Sequence, residues 1–226
     1  MLRPKHQQFV RGDKRMDKEG LLRLLEKIGQ RIHEQRDFLT ELDNAIGDGD
    51  HGHNMDKGFQ AVHDRVLSNP GPDMGKVLQQ VGMALISTVG GAAGPLYGTA
   101  FMRMGGLLAG RQEASLEDLP RLLDAAIGGI QQRGKAVRGE KTMLDALIPA
   151  KEALEAAISA GKPAVEALAD AAAAAEAGVE YTKTIRATKG RASYLGDRSI
   201  GHQDPGATSS MLMIQVLKET LQERDQ

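Results

Sequence analysis

Residues 17–39 read DKEGLLRLLEKIGQRIHEQRDFL, and their apolar positions decide the fold class. From Asp17 to Phe38, Leu21, Leu24, Leu25, Ile28 and Ile32, with Leu39 just beyond, recur at three- and four-residue steps with charges between them. That is the stripe of an amphipathic helix. The same period continues down the chain. Phe59, Val62 and Val66 carry it from Met55 to Val66. Asp73 is a candidate N-cap for a helix bearing Val77, Val81, Ala84 and Leu85. Residues 99–108 are apolar nearly all round, which predicts a buried helix. Ser115-x-x-Asp118 resembles a capping box ahead of Leu119, Leu122, Leu123, Ala126 and Ile130. Further helices are expected from Thr142 to Ser159, after Pro163 through an Ala-rich run, and from about Ala207 to Arg224. Eight helices with short connections, no strand and many Ala contacts predict one all-α domain, a compact antiparallel bundle.

Composition narrows the function. The chain has 226 residues, no Cys, no Trp and 3% aromatic residues. Without cysteine there is no disulfide, thiolate zinc site or cysteine nucleophile, which suits a cytoplasmic location. A net charge of −1 argues against a nucleic-acid surface, and no apolar run reaches membrane-spanning length. Residues 1–19 are basic and lack a signal-peptide core, so they are expected to form a mobile tail ahead of a domain covering residues 20–226.

Chemistry is concentrated where the helical period breaks. Residues 42–54, LDNAIGDGDHGHN, place Asp43, Asp48 and Asp50 with His51 and His53 in a Gly-punctuated turn. Carboxylates converging without Lys or Arg partners repel, and a hard cation is the natural compensation. A solvated turn whose Asp residues cap helices is the plainer alternative. An EF-hand beginning at Asp48 is excluded because its twelfth position is Phe59. The formal Gly47-x-Gly49-x-x-Gly52 fingerprint follows no strand and carries Asp at two variable positions.

Residues 87–99, STVGGAAGPLYGT, offer backbone N–H groups and hydroxyls where a helix begins, the makings of an anion cradle. A Gly-rich helix crossing without a ligand is the alternative. None of the three Gly-Lys pairs is followed by Ser or Thr, so there is no Walker A loop. Arg133–Ala136 and Gly139–Met143 form a third break, where Met143 can pack on a flat base and the basic residues can simply offset a helix dipole. The fourth, KGRASYLGDRSIGHQDPGAT at residues 189–208, is long for a mere connection and brings Lys189, Arg191 and Arg198. An acidic loop, an anion cradle and a basic loop together fit a nucleotide diphosphate bridged to protein by magnesium.

These motifs (IGDGDHGHNM, STVGGAAGPLYGT, RGKA with GEKTMLD, and KGRASYLGDRSIGHQDPGATS) resemble the L subunit of dihydroxyacetone kinase, which is also the C-terminal domain of the single-chain ATP-dependent kinases of that family. The resemblance runs from about Gly20 to the C-terminus. Gly49, His53 and Thr88 are its mild departures. It implies an eight-helix antiparallel barrel with ADP or ATP bound at one end. Asp43, Asp48 and Asp50 would hold two magnesium ions. His51, Gly52, His53 and Asn54 would border the metals and phosphates, with His51 either assisting catalysis or orienting an Asp. Ser87 and Thr88 would bind phosphate, and Gly134, Met143, Arg191, Asp204, Pro205 and Gly206 would enclose the rest.

The resemblance further implies a separate K subunit that holds dihydroxyacetone through a histidine. In one donor scheme, ADP stays bound and a phosphocarrier M subunit, driven by phosphoenolpyruvate, rephosphorylates it. In the other, ATP exchanges at each turnover. A separate short L chain favours the first. Alternatives are an ATP-dependent kinase subunit for another short sugar or an acyl acceptor, and a nucleotide-sensing module docking on a transcription regulator. A homodimer is left open.

Overall fold

The computed structural model describes residues 15–224. The first helical stripe divides in two. Helix α1 (Lys18–Glu34) is capped by the Asp17 carboxylate, which accepts the Gly20 N–H at 2.8 Å, and α2 (Arg36–Ile46) restarts after Gln35. Neither Gly nor Pro marks the break, so periodicity runs through it. What redirects the chain is packing of α2 across α3 (His51–Val62) and α9 (Pro205–Arg224). Helix α4 (Met74–Thr88) opens as expected at Asp73, whose Oδ1 accepts the Lys76 N–H at 2.9 Å. Then follow α5 (Ala93–Leu107), α6 (Leu119–Gly134), α7 (Leu144–Ser159) and α8 (Ala164–Thr184). Helix α5 starts earlier than its apolar run and leaves Met102 and Leu107 exposed. Among the described residues no helix is long and apolar enough to cross a membrane.

Eight of these helices close a ring. α1 packs on α3, α3 on α4, and each next helix on its neighbour until α9 returns to α1. This is the expected barrel, and α2 lies across its end. Leu25, Ile32, Leu85, Ile130 and Leu144 are among the side chains buried in its main core, and an apolar cavity of about 200 Å³ remains inside. Where α7 meets α8 the contact is rich in small residues. Ala146, Ala150 and Ala157 face Ala167, Ala171, Ala175 and Gly178, so the two axes approach closely.

One expectation about the N-terminus is corrected. Residues 1–14 of the basic tail lie outside the described residues, but Arg15–Asp17 form a strand, β1, antiparallel to β2 (Glu113–Ser115), and residues 18–19 already belong to α1. Met16 packs against the main core and Arg15 pairs with Glu113. Three-residue strands are too short for alternation to reveal them.

The Ser115–Asp118 capping box forms around a short 3₁₀ turn that leads into α6. The Asp118 carboxylate accepts the Ser115 N–H at 2.8 Å and both Arg111 guanidinium nitrogens at 2.8 and 2.7 Å. Arg111 first, then the Ser115 N–H, hold the Asp118 carboxyl well below the usual carboxylate range against the effect of burial. A depressed folded value stabilises the protein at neutral pH, and that stabilisation is lost as pH falls through about 4 toward the folded value. Asp118→Asn is therefore expected to cost about 1 kcal/mol at pH 7. Urea denaturation at pH 7 and pH 3 checks this, with the gap between variant and wild type narrowing at the lower pH.

Candidate functional site

The chain breaks gather at the end of the barrel crossed by α2, around a cavity of about 440 Å³. Asp43, in the last turn of α2, is buried. Its Oδ2 accepts the N–H groups of Asp50 and His51 at 2.9 and 3.1 Å, tying the end of α2 to the start of α3. The intervening loop must turn sharply, and Gly49 does so at φ 73°. The result is convergence: ligand oxygens of Asp43, Asp48 and Asp50 lie within 4.8 Å of one another, with Asp48 and Asp50 exposed. His51 lies behind them. Burial holds its imidazole below the ordinary range, against the opposing pull of Asp43 and Asp50, and its Nε2 meets Ser209 Oγ on α9 at 2.9 Å.

Gly90, Gly91, Ala92 and Ala93 form the facing wall at the N-terminus of α5. A side chain at Gly90 would crowd Asn54, so glycine lets this loop close on α3. The first-turn N–H groups of α5 supply donors and the positive end of its dipole. Deeper in, Leu96, Ile130, Ala136 and Met143 make an apolar face. Tyr97 ties α5 to α9, its hydroxyl lying 2.8 Å from both Ser209 Oγ and Ser210 Oγ and donating to Gly206 O at 3.0 Å. Burial pushes its phenol up to about 12.

The basic loop completes the rim. It folds as a 3₁₀ segment, Arg191–Ser199, kinked at Gly196, and swings Arg191 toward the acids, with its guanidinium 2.9 Å from Asp48 Oδ2. Asp204 caps α9 by accepting the Ala207 N–H at 2.7 Å, with Pro205 in the first helical position. Burial pushes its carboxyl up to about 7, the Ala207 N–H and Lys141 opposing and Asp145 and Asp43 assisting. One cavity thus has an acidic corner, a helix N-terminus, an apolar slot and a basic edge from Arg133, Lys189 and Arg191.

A family model described as the DAK2 domain matches residues 45–219. The chain belongs to the DAK2-domain family. Among curated relatives, the domain is 43% identical over 204 residues to the ADP-binding subunit DhaL of PEP-dependent dihydroxyacetone kinase 1 of Listeria innocua, covering 90% of this chain and 97% of that one. It is 41% identical over 202 residues to the ADP-binding subunit DhaL of the PEP-dependent dihydroxyacetone kinase of Escherichia coli, covering 89% and 96%. Its fold matches the crystal structure of the dihydroxyacetone kinase of C. freundii in complex with AMP-PNP and Mg²⁺. There the TM-score is 0.69 and the identity 23%, over 97% of this chain and 37% of that one.

In this DAK2 domain, Asp43, Asp48, Asp50, His51, Asn54, Gly134, Met143, Arg191, Asp204, Pro205 and Gly206 all line the cavity. Four residues expected with them do not. Gly52 is buried against α2, where a side chain would overlap Arg36 O, and His53 is exposed on the far side of its helical turn. The hydroxyls of Ser87 and Thr88 both turn back to donate to Ala84 O, at 3.0 and 2.6 Å, so the anion-facing wall begins at Gly90. The opposite surprise is Lys141, read from sequence as a basic residue beside a helix end and found buried in the cavity floor. Its position two residues before the apolar Met143 was the available signal, and it is a weak one.

Proposed function

We infer that this chain is the ADP- or ATP-binding subunit of a dihydroxyacetone kinase. On this reading, phosphoryl transfer runs from the bound nucleotide to dihydroxyacetone held on a separate K subunit. ADP is retained as a cofactor and rephosphorylated by a phosphoenolpyruvate-dependent phosphocarrier, the M subunit. The observation that carries the reading is the convergence of Asp43, Asp48 and Asp50 beside the N-terminus of α5, on one cavity of about 440 Å³. Relatives above 40% identity across nearly their whole length, named as ADP-binding subunits, support the substrate and the donor.

The residues fit magnesium. Two exposed carboxylates and one buried carboxylate already fixed by two N–H donors make a hard, all-oxygen set. Magnesium bound there would neutralise phosphate charge during transfer. The chain's own residues do the positioning. The Gly90–Ala93 wall and the dipole of α5 receive phosphate oxygens, Met143 and Leu96 take the flat base, and Arg191 closes over the phosphates from the rim. Asp204 holds the Pro205–Gly206 turn in place by capping α9, and His51 braces the acidic loop against Ser209. Positioning and charge neutralisation suffice for phosphoryl transfer, so no protein nucleophile is required in this chain.

Titration calorimetry on protein first stripped of bound nucleotide tests the reading. ADP should bind with 1:1 stoichiometry in magnesium and weaken on the order of a hundredfold in EDTA. Equal affinity in both conditions would remove the metal-bridged nucleotide from the account.

A further inference from the structure

Lys141 has two costly features at once. Its side chain is 1% exposed although it carries an ammonium, and its backbone sits at φ 62°, a left-handed conformation that glycine adopts without strain. Burying an ammonium is expensive unless every donor is satisfied. Here the three N–H donors have three acceptors: Thr182 O at 2.5 Å, His202 O at 2.5 Å and Ile185 O at 3.3 Å. Asp145 and Asp204 balance the charge at longer range. A strained, buried cation persists only where its surroundings over-determine it.

Those three carbonyls belong to segments that separately build the nucleotide cavity. Thr182 lies in the last turn of α8 and Ile185 starts the run into Lys189, Gly190 and Arg191. His202 lies two residues before Asp204, while Lys141 itself lies two residues before Met143. Backbone links run the same way: Gly201 N–H donates to Lys183 O at 2.7 Å, Thr188 N–H to Glu140 O at 3.3 Å, and Asp204 N–H to Thr182 Oγ1 at 3.0 Å. None of these links spans all three walls. The ammonium does.

Building on the nucleotide-binding reading above, we propose that Lys141 is the positioning residue of the site: its ammonium joins the base-side wall at Met143 to the Arg191 loop and the Asp204–Gly206 turn. It touches no reacting atom. The metal corner, built from α2 and α3, does not depend on it.

The test is Lys141→Met, which keeps side-chain length and removes the three donors. Circular dichroism establishes the temperature range in which the variant is folded, and two titrations are made within it. ADP with magnesium should bind about tenfold more weakly than to wild type. Manganese alone, reporting the three aspartates, should bind within about twofold of wild type. Unchanged ADP affinity, or an equal loss of both, overturns the proposal. If Lys141→Met does not fold, Lys141→Gly relaxes the backbone strain, and butylammonium should restore its ADP affinity; no recovery overturns the proposal as well. Wild-type protein that failed to bind ADP with magnesium would instead refute the nucleotide reading and this inference with it, so the two failures are told apart.

Discussion

Asp48→Ala should lower magnesium-dependent ADP affinity by about a hundredfold while leaving the fold almost untouched. The separation of effects follows from where Asp48 sits. It lies in the exposed turn between α2 and α3, and it pairs with the guanidinium of Arg191, itself 63% exposed. Losing an exposed ion pair changes stability by less than about 1 kcal/mol. Asp43 is a poorer test of the same idea. Its carboxylate also holds the N–H groups of Asp50 and His51, so its loss would loosen the start of α3 and blur binding with stability. Calorimetry on Asp48→Ala, with a thermal melt as control, checks the expectation. Unchanged affinity in a folded variant would remove Asp48 from the metal set.

Gly178→Ala should destabilise the barrel wall through a single added methyl group. Pro149, inside α7, has no N–H to offer the Asp145 carbonyl one turn earlier, and Gly178 of α8 packs directly over that oxygen. A Cβ at Gly178 would overlap the oxygen and come within 3.1 Å of the Ala146 Cα. Both obstacles are backbone and cannot rotate aside, so α7 and α8 must separate along their small-residue contact. Overpacking of this kind costs about 3 kcal/mol, against about 1 kcal/mol gained in helix propensity. The net loss of about 2 kcal/mol corresponds to a melting temperature lower by roughly 4–8 °C. Gly128→Ala makes the same chemical change on the exposed face of α6, where a Cβ would meet nothing within 4 Å, and should raise stability by about 1 kcal/mol. Equal melting temperatures for the two variants would refute the backbone-contact argument. Since Asp145 also accepts the Gly139 and Thr142 N–H groups beside the cavity, Gly178→Ala should weaken ADP binding too.

Helix positions were legible because burial of one face imposes a 3.6-residue period that survives in any sequence listing. Leu21 through Ile32, the Asp73 cap and the Ser115–Asp118 box all read correctly, since a cap and its acceptor lie within one turn. The acidic loop was legible for a related reason. Asp43, Asp48 and Asp50 span eight residues, so a single turn brings them together, and Gly49 advertises that turn. Gly52, His53, Ser87 and Thr88 share those loops but face elsewhere, because which side of a helix end points into a cavity depends on what the helix packs against.

Local chemistry, carried by residues within a turn or two of one another, was written in the chain: the helices of an all-α fold, their caps, an acidic loop and a basic loop. Long-range geometry was not. The break at Gln35, the pairing of Arg15–Asp17 with Glu113–Ser115, and the reach of Arg191 to Asp48 join segments whose spacing along the chain carries no period. Lys141 is the extreme case. A lysine in a Gly-rich break reads as a solvated charge, and only three carbonyls from two distant segments, brought to one point by packing, make its burial affordable.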